Sequence, residues 1–178
     1  MELLIGCGVS REKKIYIPGK QEWSNLVTLD NNPDRYPDVL YDLMLTPLPF
    51  EENSFDEIHA YEVLEHTGQQ GDWRWFFRQW MDFWRILKPG GRFFATVPHW
   101  QSPWALGDPS HSRVLVIPHV LVFLNQEQYH KQCDVEKNDM SDFRFCYRAD
   151  FEKVHHELSE DGLQSKFVLM AHKPARSF

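Results

Sequence analysis

Cysteine is scarce in this sequence, and long apolar runs are absent from it. The three cysteines, Cys7, Cys133 and Cys146, are widely spaced and form no CxxC pair, so neither a disulfide framework nor a zinc site is expected. A reducing, cytoplasmic compartment fits such a chain best. No apolar stretch has the length needed to span a bilayer, and Gly6 interrupts the N-terminal apolar run too early for a signal peptide. We expect neither a membrane partner nor export.

Basic residues are also fewer than acidic ones. The 19 Lys and Arg residues stand against 26 Asp and Glu residues, which gives a net charge of -7, whereas nucleic-acid binding relies on a basic surface that displaces counterions. A nucleic-acid partner is therefore not expected. The 178 residues, 42% of them hydrophobic and 15% aromatic, predict one domain over residues 1–178 with a sizeable core. The sequence leaves open whether copies associate as a homo-oligomer.

What the sequence has instead is a series of short apolar runs separated by glycine, proline and asparagine. Large apolar side chains recur at helical spacing over residues 72–87, between the last two runs. Strand, helix and strand in that order predict a right-handed parallel crossover. Residues 9–19 lack a helical stripe, so an extended loop is expected after the first run. The predicted strands cover residues 3–5, 25–30, 38–42, 54–61 and 91–98.

The C-terminal half is patterned differently. Residues 143–158 and 166–172 are strand-like and flank the turn signal Asp161-Gly162, which predicts a terminal antiparallel hairpin. Residues 99–141 are rich in Pro, Trp, His and Asp and show no period except a helical one near 126–131. Long connections of this kind often carry function. We predict that residues 99–141 are an insert that serves as a lid or substrate-binding segment.

Four sequence blocks carry a resemblance to a known family. They are "LLIGCG", "LVTLDNNP", "VLYDLMLTPLPFEENSFDEIHAYEVLEH" and "WRILKPGGRFFATVP", all within residues 3–98. In order and spacing they resemble the class I S-adenosylmethionine-dependent methyltransferases, in the type 11 methyltransferase-like group. "GDPSHSR" at 107–113 is similar to a motif that follows the fifth strand in part of that family. The resemblance implies a Rossmann-like α/β fold: a seven-stranded, mostly parallel sheet with an antiparallel C-terminal hairpin and helices on both faces.

The resemblance also implies how S-adenosylmethionine is bound as cofactor. Gly6 and Gly8 would let the backbone approach it, because a Cβ at either position would collide with it. Asp30, at the end of the second strand, would accept hydrogen bonds from both ribose hydroxyls. Arg11 or Lys14 would offer a cation to the cofactor carboxylate, although a solvated surface is the simpler interpretation of that charged run.

The remaining predicted contacts follow the third and fourth strands. Asp42 and the backbone of Leu43 would meet the adenine, and Tyr61 with Glu62 would border the methionine end. His66 either reaches the cofactor or only packs its own turn; both interpretations stay open. The full predicted set is Gly6, Cys7, Gly8, Asp30, Asn31, Asp42, Leu43, Tyr61, Glu62 and His66.

Methyl transfer from a sulfonium needs little from the protein beyond in-line alignment and the exclusion of water. Where the acceptor is a hydroxyl or an amine, a base removes its proton, and histidine is the usual base. His111, in the "DPSH" motif, is the first candidate and His99 the second, while a structural role for His111 stays open. No metal site is predicted, since His155 and His156 lack partners at ligand spacing.

The predicted function is transfer of a methyl group from S-adenosylmethionine to an O, N or C nucleophile of a small-molecule acceptor. Two alternatives stay open. One is a catalytically degenerate binding or scaffold protein of the same fold, because Leu4 and Ser10 stand where many members carry an acidic residue and a third glycine. The other is an NAD-dependent oxidoreductase, which Gly6, Gly8 and Asp30 permit. The chain is short for that class, since a dinucleotide needs a second mononucleotide-binding half.

Overall fold

The structure, a computed structural model, describes residues 1–178 and contains one seven-stranded sheet. Its strands are β1 (Glu2–Ile5), β2 (Leu26–Asp30), β3 (Val39–Leu40), β4 (Phe55–Tyr61), β5 (Leu87–Pro98), β6 (Phe151–Leu158) and β7 (Gln164–Ala171). Their order across the sheet is β3-β2-β1-β4-β5-β7-β6. Strands β1 to β5 run parallel, and β7 is antiparallel to both β5 and β6. The predicted fold class, with its terminal antiparallel hairpin, is confirmed.

The strand bounds differ from the predicted ones where local pairing changes. The edge strand β3 has two residues instead of five, because the carboxylates of Asp38 and Asp42 on either side of it bond to Thr28 and to Met44. Strand β5 begins at Leu87, four residues before the predicted start, and its pairing with β4 is irregular between Phe55 and Glu57. Strand β6 begins only at Phe151, because the preceding residues form turns, with Cys146 N donating to Phe143 O at 3.0 Å.

One long amphipathic helix covers the larger core. Asp72 caps it, since its Oδ1 accepts a hydrogen bond from Trp75 N at 3.0 Å. Trp80 and Phe83 pack on Phe93 of β5, and Trp80 is fully buried, so its truncation to alanine would cost about 3–5 kcal/mol. None of the helices combines the length and apolarity required to cross a membrane. The helices are α1 (Trp73–Ile86), α2 (Pro103–Gly107), α3 (His119–Val122) and α4 (Gln126–His130).

The loop between β1 and β2, residues 6–25, contains no helix, in agreement with the missing apolar stripe. Ile15 and Trp23 of this loop pack against a small second core cluster formed by Leu4, Cys7 and Tyr61. That cluster is separate from the larger core. An extended loop therefore fills a place where the crossover helix of a βαβ unit would lie.

A buried ionic cluster fixes this loop to the sheet. Lys13 Nζ lies 2.9 Å from Glu2 Oε1 and 2.7 Å from Glu57 Oε2, and all three side chains are almost fully buried. His59 Nε2 is 3.0 Å from the same Glu57 oxygen. Burial raises the pKa of Glu57, but hydrogen bonds from His59 and Lys13 outweigh it and lower that pKa to about 2.

The segment 99–141 contributes side chains to the larger core. Leu115, Ile117, Leu121 and Leu124 belong to it. The helix expected over 126–131 is α4, which continues as a π-helical turn over Lys131–Val135. Helices α2 and α3 were not predicted, because four or five residues are too few to show a helical period.

Candidate active site

Most of the predicted cofactor residues meet at one cavity. It lies at the carboxyl ends of β1, β2 and β4, where the strand order reverses and where α/β sheets bind ligands, and its volume is about 350 Å³. Seven of its ten lining residues belong to the predicted set, whereas Cys7, Gly8 and Tyr61 of that set do not line it. The lining residues are Gly6, Asp30, Asn31, Asp42, Leu43, Met44, Glu62, Val63, His66 and Thr67.

The glycine turn after β1 is built on left-handed backbone. Gly6 has φ +56° and Gly8 has φ +51°, a region that side chains other than glycine seldom adopt. A Cβ at Gly6 would lie 2.3 Å from Val63 Cγ2, whereas one at Gly8 would meet no protein atom within 4 Å. The close approach at Gly6 is thus an approach to Val63, and the collision of a Cβ with the cofactor stays a prediction at both glycines.

Arg11 holds the glycine turn from outside the cavity. Its guanidinium donates hydrogen bonds to Cys7 O at 3.1 Å, to Gly8 O at 2.6 Å and to Arg35 O at 2.7 Å. The Arg11 guanidinium is therefore already occupied by three backbone carbonyl oxygens. The Cys7 side chain is buried in the small second core cluster, and this burial raises the pKa of its thiol.

Asp30 connects the ends of β1 and β2. Its Oδ2 accepts a hydrogen bond from Gly8 N at 2.9 Å, and its Oδ1 accepts one from Asn32 N at 2.9 Å. Gly8 therefore touches the site through Asp30, although it does not line the cavity. Each carboxylate oxygen has a further lone pair, so Asp30 can accept two more hydrogen bonds from a ligand. Asn31 lies between these groups and lines the cavity.

Asp42 and Leu43 form a tight turn after β3. The Asp42 carboxylate accepts from Met44 N at 2.8 Å, and the Asp42 carbonyl accepts from Leu45 N at 2.9 Å. The N–H of Leu43, between them, donates to no protein group. A cavity-lining backbone donor is therefore free for a ligand acceptor.

Tyr61 and Glu62 diverge at the end of β4. The Tyr61 hydroxyl lies on the loop side, 2.6 Å from His59 Nδ1, and accepts from Ile15 N at 3.2 Å; burial raises the pKa of Tyr61. Glu62 lines the cavity and has φ +55°, a conformation that costs a non-glycine residue on the order of 1–3 kcal/mol. Burial raises the pKa of Glu62, and its Oε1 is buried without a partner.

His66 and His111 lie together beside the cavity. Their ring centroids are 4.7 Å apart at an interplanar angle of 77°. The Nδ1 atom of His66 is 3.2 Å from Ser110 Oγ, and His111 Nε2 is 3.9 Å from Asp108 Oδ2. The structure thus brings the "DPSH" motif to the turn after β4. His99 lies apart from them, where its N donates to Leu163 O at 2.8 Å beside the β6–β7 hairpin.

Sequence reasoning missed Glu65, which is only 2% exposed and has no partner for either carboxylate oxygen. Burial raises its pKa to about 8. The one signal was its position beside His66 in "YEVLEH", and a carboxylate after a strand is ordinarily solvated. Glu65 is covered by residues distant in sequence, since Ser112 N donates to Glu65 O at 2.9 Å.

Arg113 fastens that covering segment. Its Nε donates to Leu64 O at 2.8 Å, and its NH2 group donates to Thr67 Oγ1 at 3.0 Å and to Gln79 Oε1 at 2.7 Å. Burial lowers the pKa of Arg113 to about 10. The loop that carries His111 is therefore fixed to α1 and to the turn that carries Glu65.

A larger cavity of about 570 Å³ lies elsewhere, near the C-terminus. Its walls include Arg144 and Arg176, but both cations already pair with carboxylates. Arg144 pairs with Asp134 and Asp142, and Arg176 pairs with Asp150. None of the predicted site residues lines this cavity.

The strand order and a glycine turn facing an acidic residue at the end of β2 define a Rossmann-like protein that binds a nucleoside-containing ligand. The family model described as methyltransferase domain matches residues 3–95. The chain belongs to this family, the class I S-adenosylmethionine-dependent methyltransferases. It is a methyltransferase whose cofactor is S-adenosylmethionine. No curated protein matches the chain.

Solved structures share the fold. An S-adenosylmethionine-dependent methyltransferase from Archaeoglobus fulgidus has a TM-score of 0.56 at 16% identity, covering 95% of this chain and 85% of that one. One from Mesorhizobium loti has a TM-score of 0.56 at 14% identity, covering 95% and 90%. A putative methyltransferase from Haloferax volcanii, in complex with the methyltransferase activator Trm112, has a TM-score of 0.58 at 13% identity, covering 99% and 83%.

The cavity residues fit S-adenosylmethionine. The free Leu43 N–H matches a ring nitrogen acceptor, and the spare lone pairs of Asp30 match a ribose diol. The buried Glu62 Oε1 has no hydrogen-bond partner, which is costly for a carboxylate oxygen. An ammonium group that donates to it would remove that cost.

Proposed function

We propose that the protein transfers the methyl group of S-adenosylmethionine to an O, N or C nucleophile of a small molecule. The observation that carries the proposal is the convergence of seven predicted residues on one cavity at the reversal of strand order. Residues from four separate chain segments meet there. Chance would seldom bring that many predicted residues to one of the sites that this sheet topology offers for a ligand.

In this proposal the nucleoside is held by Asp30 and by the Asp42–Leu43 turn. Asp30 accepts both ribose hydroxyls while it keeps its bonds from Gly8 and Asn32, because a carboxylate offers about four acceptor sites. The Leu43 N–H donates to the adenine. Charge-assisted hydrogen bonds to Asp30 are stronger than neutral ones, so Asp30 is the principal anchor.

The methionine end lies along Glu62. Glu62 lines the cavity and its Oε1 has no hydrogen-bond partner, so in this proposal its carboxylate accepts from the amino group. Lys14 is exposed, packs over the Tyr61 ring at 5.4 Å and has a favourable Coulomb interaction with Glu62. Because the guanidinium of Arg11 is occupied by carbonyls, Lys14 is the better candidate for the cofactor carboxylate.

The acceptor end lies beside His66 and His111. When bound, S-adenosylmethionine supplies an electrophilic methyl group and a good leaving group. The protein's part is to align the acceptor, to exclude water and to remove a proton where the acceptor is a hydroxyl or an amine. His111 is favoured as that base over His99, because its buried Nδ1 has no protein partner and its ring contacts His66 at the edge of the cavity.

Calorimetric titration with S-adenosylhomocysteine tests the proposal, with NAD as the control ligand. We expect saturable binding of S-adenosylhomocysteine alone. Replacing Asp30 with alanine is expected to weaken that binding by at least about tenfold, through the loss of charge-assisted hydrogen bonds. The matched control is Asp34→Ala, an exposed carboxylate in the following turn, which should leave the affinity unchanged.

Two results would count against the proposal. An unchanged dissociation constant in a folded Asp30→Ala protein would remove Asp30 from the site. Absence of binding by the natural chain would favour the alternative of a degenerate scaffold, in which the glycine turn only serves the fold. Asp30→Asn keeps the shape of the side chain and is the second variant if the alanine variant does not fold.

A further inference from the structure

Three side chains that commonly bind metals converge beside the cofactor cavity. Glu65 and His66 come from the turn after β4, and His111 comes from the loop after α2. One ligand atom of each lies within 4.8 Å of the ligand atoms of the other two. Two imidazoles and one carboxylate form the ligand set of open Zn²⁺ sites and of non-haem Fe²⁺ sites. We propose that Glu65, His66 and His111 bind one divalent transition-metal ion of this kind, with Zn²⁺ as the reference ion.

The donor atoms are free to bind. Both carboxylate oxygens of Glu65 and the Nδ1 of His111 are buried and have no hydrogen-bond partner, and Glu65 takes part in no salt bridge at 4.0 Å or less. A buried carboxylate without a partner is costly, and a bound cation removes that cost. The Nδ1 of His66 bonds to Ser110, which leaves its Nε2 for an ion.

The surroundings resemble the outer shell of a metal site. Ligating imidazoles usually form a second hydrogen bond that fixes the ring, and carboxylates are frequent partners. Here Ser110 Oγ lies 3.2 Å from His66 Nδ1, within hydrogen-bonding distance. Asp108 Oδ2 lies 3.9 Å from His111 Nε2, close enough for an ion pair but not for a hydrogen bond. Tetrahedral ligands at about 2.0–2.2 Å from Zn²⁺ lie roughly 3.3 Å apart. The ligand atoms therefore need to approach by only about 1–1.5 Å, which side-chain rotation supplies.

The position of the cluster suggests what the ion would do. This step rests on the proposed function: an ion held by three protein ligands keeps a position for an oxygen of the methyl acceptor. The acceptor class is then one with a hydroxyl at the reacting centre. With the ion bound, His111 is a ligand and no longer the base proposed above. The acceptor oxygen then loses its proton to solvent, which the ion makes easier, and forms the O–CH₃ bond as the S–CH₃ bond breaks.

The test is calorimetric titration of chelator-treated protein with Zn²⁺ alone. We expect one ion per chain, and we expect Glu65→Gln, His66→Gln and His111→Gln each to weaken binding by at least about tenfold. The matched control is His155→Gln, since His155 Nε2 is exposed and 3.3 Å from Glu157. It should bind Zn²⁺ as the natural chain does. His66 is exposed, so its variant keeps the test valid if Glu65→Gln does not fold.

Absence of saturable binding, or equal binding by His66→Gln and the natural chain, would overturn the metal site. A parallel titration with S-adenosylhomocysteine separates the two proposals. Zn²⁺ binding without S-adenosylhomocysteine binding would support the metal site and contradict the proposed function. The reverse result would contradict the metal site alone.

Discussion

Replacing Lys13 with methionine probes the ionic cluster that holds the glycine loop on the sheet. Methionine keeps the length and packing of the stem but removes the charge, which leaves Glu2 and Glu57 as neighbours on the parallel strands β1 and β4. Removing one partner of a buried ion pair costs about 3–5 kcal/mol. Glu2 keeps its bond from Ser24 N, and Glu57 keeps His59, so we expect a loss of about 4 kcal/mol at pH 7.

Urea denaturation measures this loss, and Lys20→Met is the matched control. Lys20 Nζ lies 3.9 Å from the other oxygen of Glu57, but its side chain is 60% exposed. Its removal should cost less than about 1 kcal/mol. A loss of that size in Lys13→Met as well would refute the reasoning, because it would mean that water or the two carboxyl groups compensate for the missing cation.

The pH dependence adds a check on the same cluster. The pKa of Glu57 is lower in the folded state, at about 2, than its ordinary value of 4.5. Its contribution to stability is therefore present above about pH 4.5 and is lost as pH falls toward about 2, amounting to about 3 kcal/mol. Because Lys13 helps to lower this pKa, the difference between the natural chain and Lys13→Met should shrink at about pH 3.

Two further predictions concern strained backbone around the cavity. Gly6→Ala should lower the free energy of unfolding by about 2–4 kcal/mol, since the new Cβ clashes with Val63 and also incurs the penalty of left-handed backbone. Gly8→Ala incurs the backbone penalty only and should lower the free energy of unfolding by about 1–2 kcal/mol. Equal losses in urea denaturation would contradict the contact with Val63. Glu62→Gly should raise the free energy of unfolding by about 1 kcal/mol, because glycine adopts this positive φ without strain. The same variant should weaken S-adenosylhomocysteine binding several-fold in calorimetry. A variant less stable than the natural chain would contradict the strain at Glu62.

The elements that the sequence predicted well are those whose pattern is local. The apolar period of α1 and the buried runs of β1, β2 and β4 place these elements within one residue of their observed bounds. β3 was predicted too long because its flanks are polar groups with other roles: Asp38 bonds to Thr28, and Asp42 caps its own turn. Such side-chain bonds compete with strand pairing and have no periodic signature.

The convergence of the predicted residues on one cavity could be predicted from strand ends, because parallel strands bring their carboxyl ends to one edge. The cluster of Glu65, His66 and His111 beside it could not be predicted in the same way. Glu65 and Ser112 are 47 residues apart and meet through a backbone hydrogen bond, a contact without any local pattern. On motif alone His111 is the first candidate base and His99 the second, and only tertiary packing puts His111 next to His66.

The anchoring of residues 108–114 has a thermodynamic consequence for ligand binding. The Arg113 side chain is buried and donates three hydrogen bonds, and Val114 N donates to the Gln70 side chain at 3.0 Å. Ordering one residue costs about 1–2 kcal/mol of conformational entropy, so seven residues amount to on the order of 10 kcal/mol. In this protein that entropy is lost when the chain folds. If the acceptor docks against His111 as proposed above, the segment it contacts is already ordered, and its affinity is not reduced by the entropy of ordering that segment.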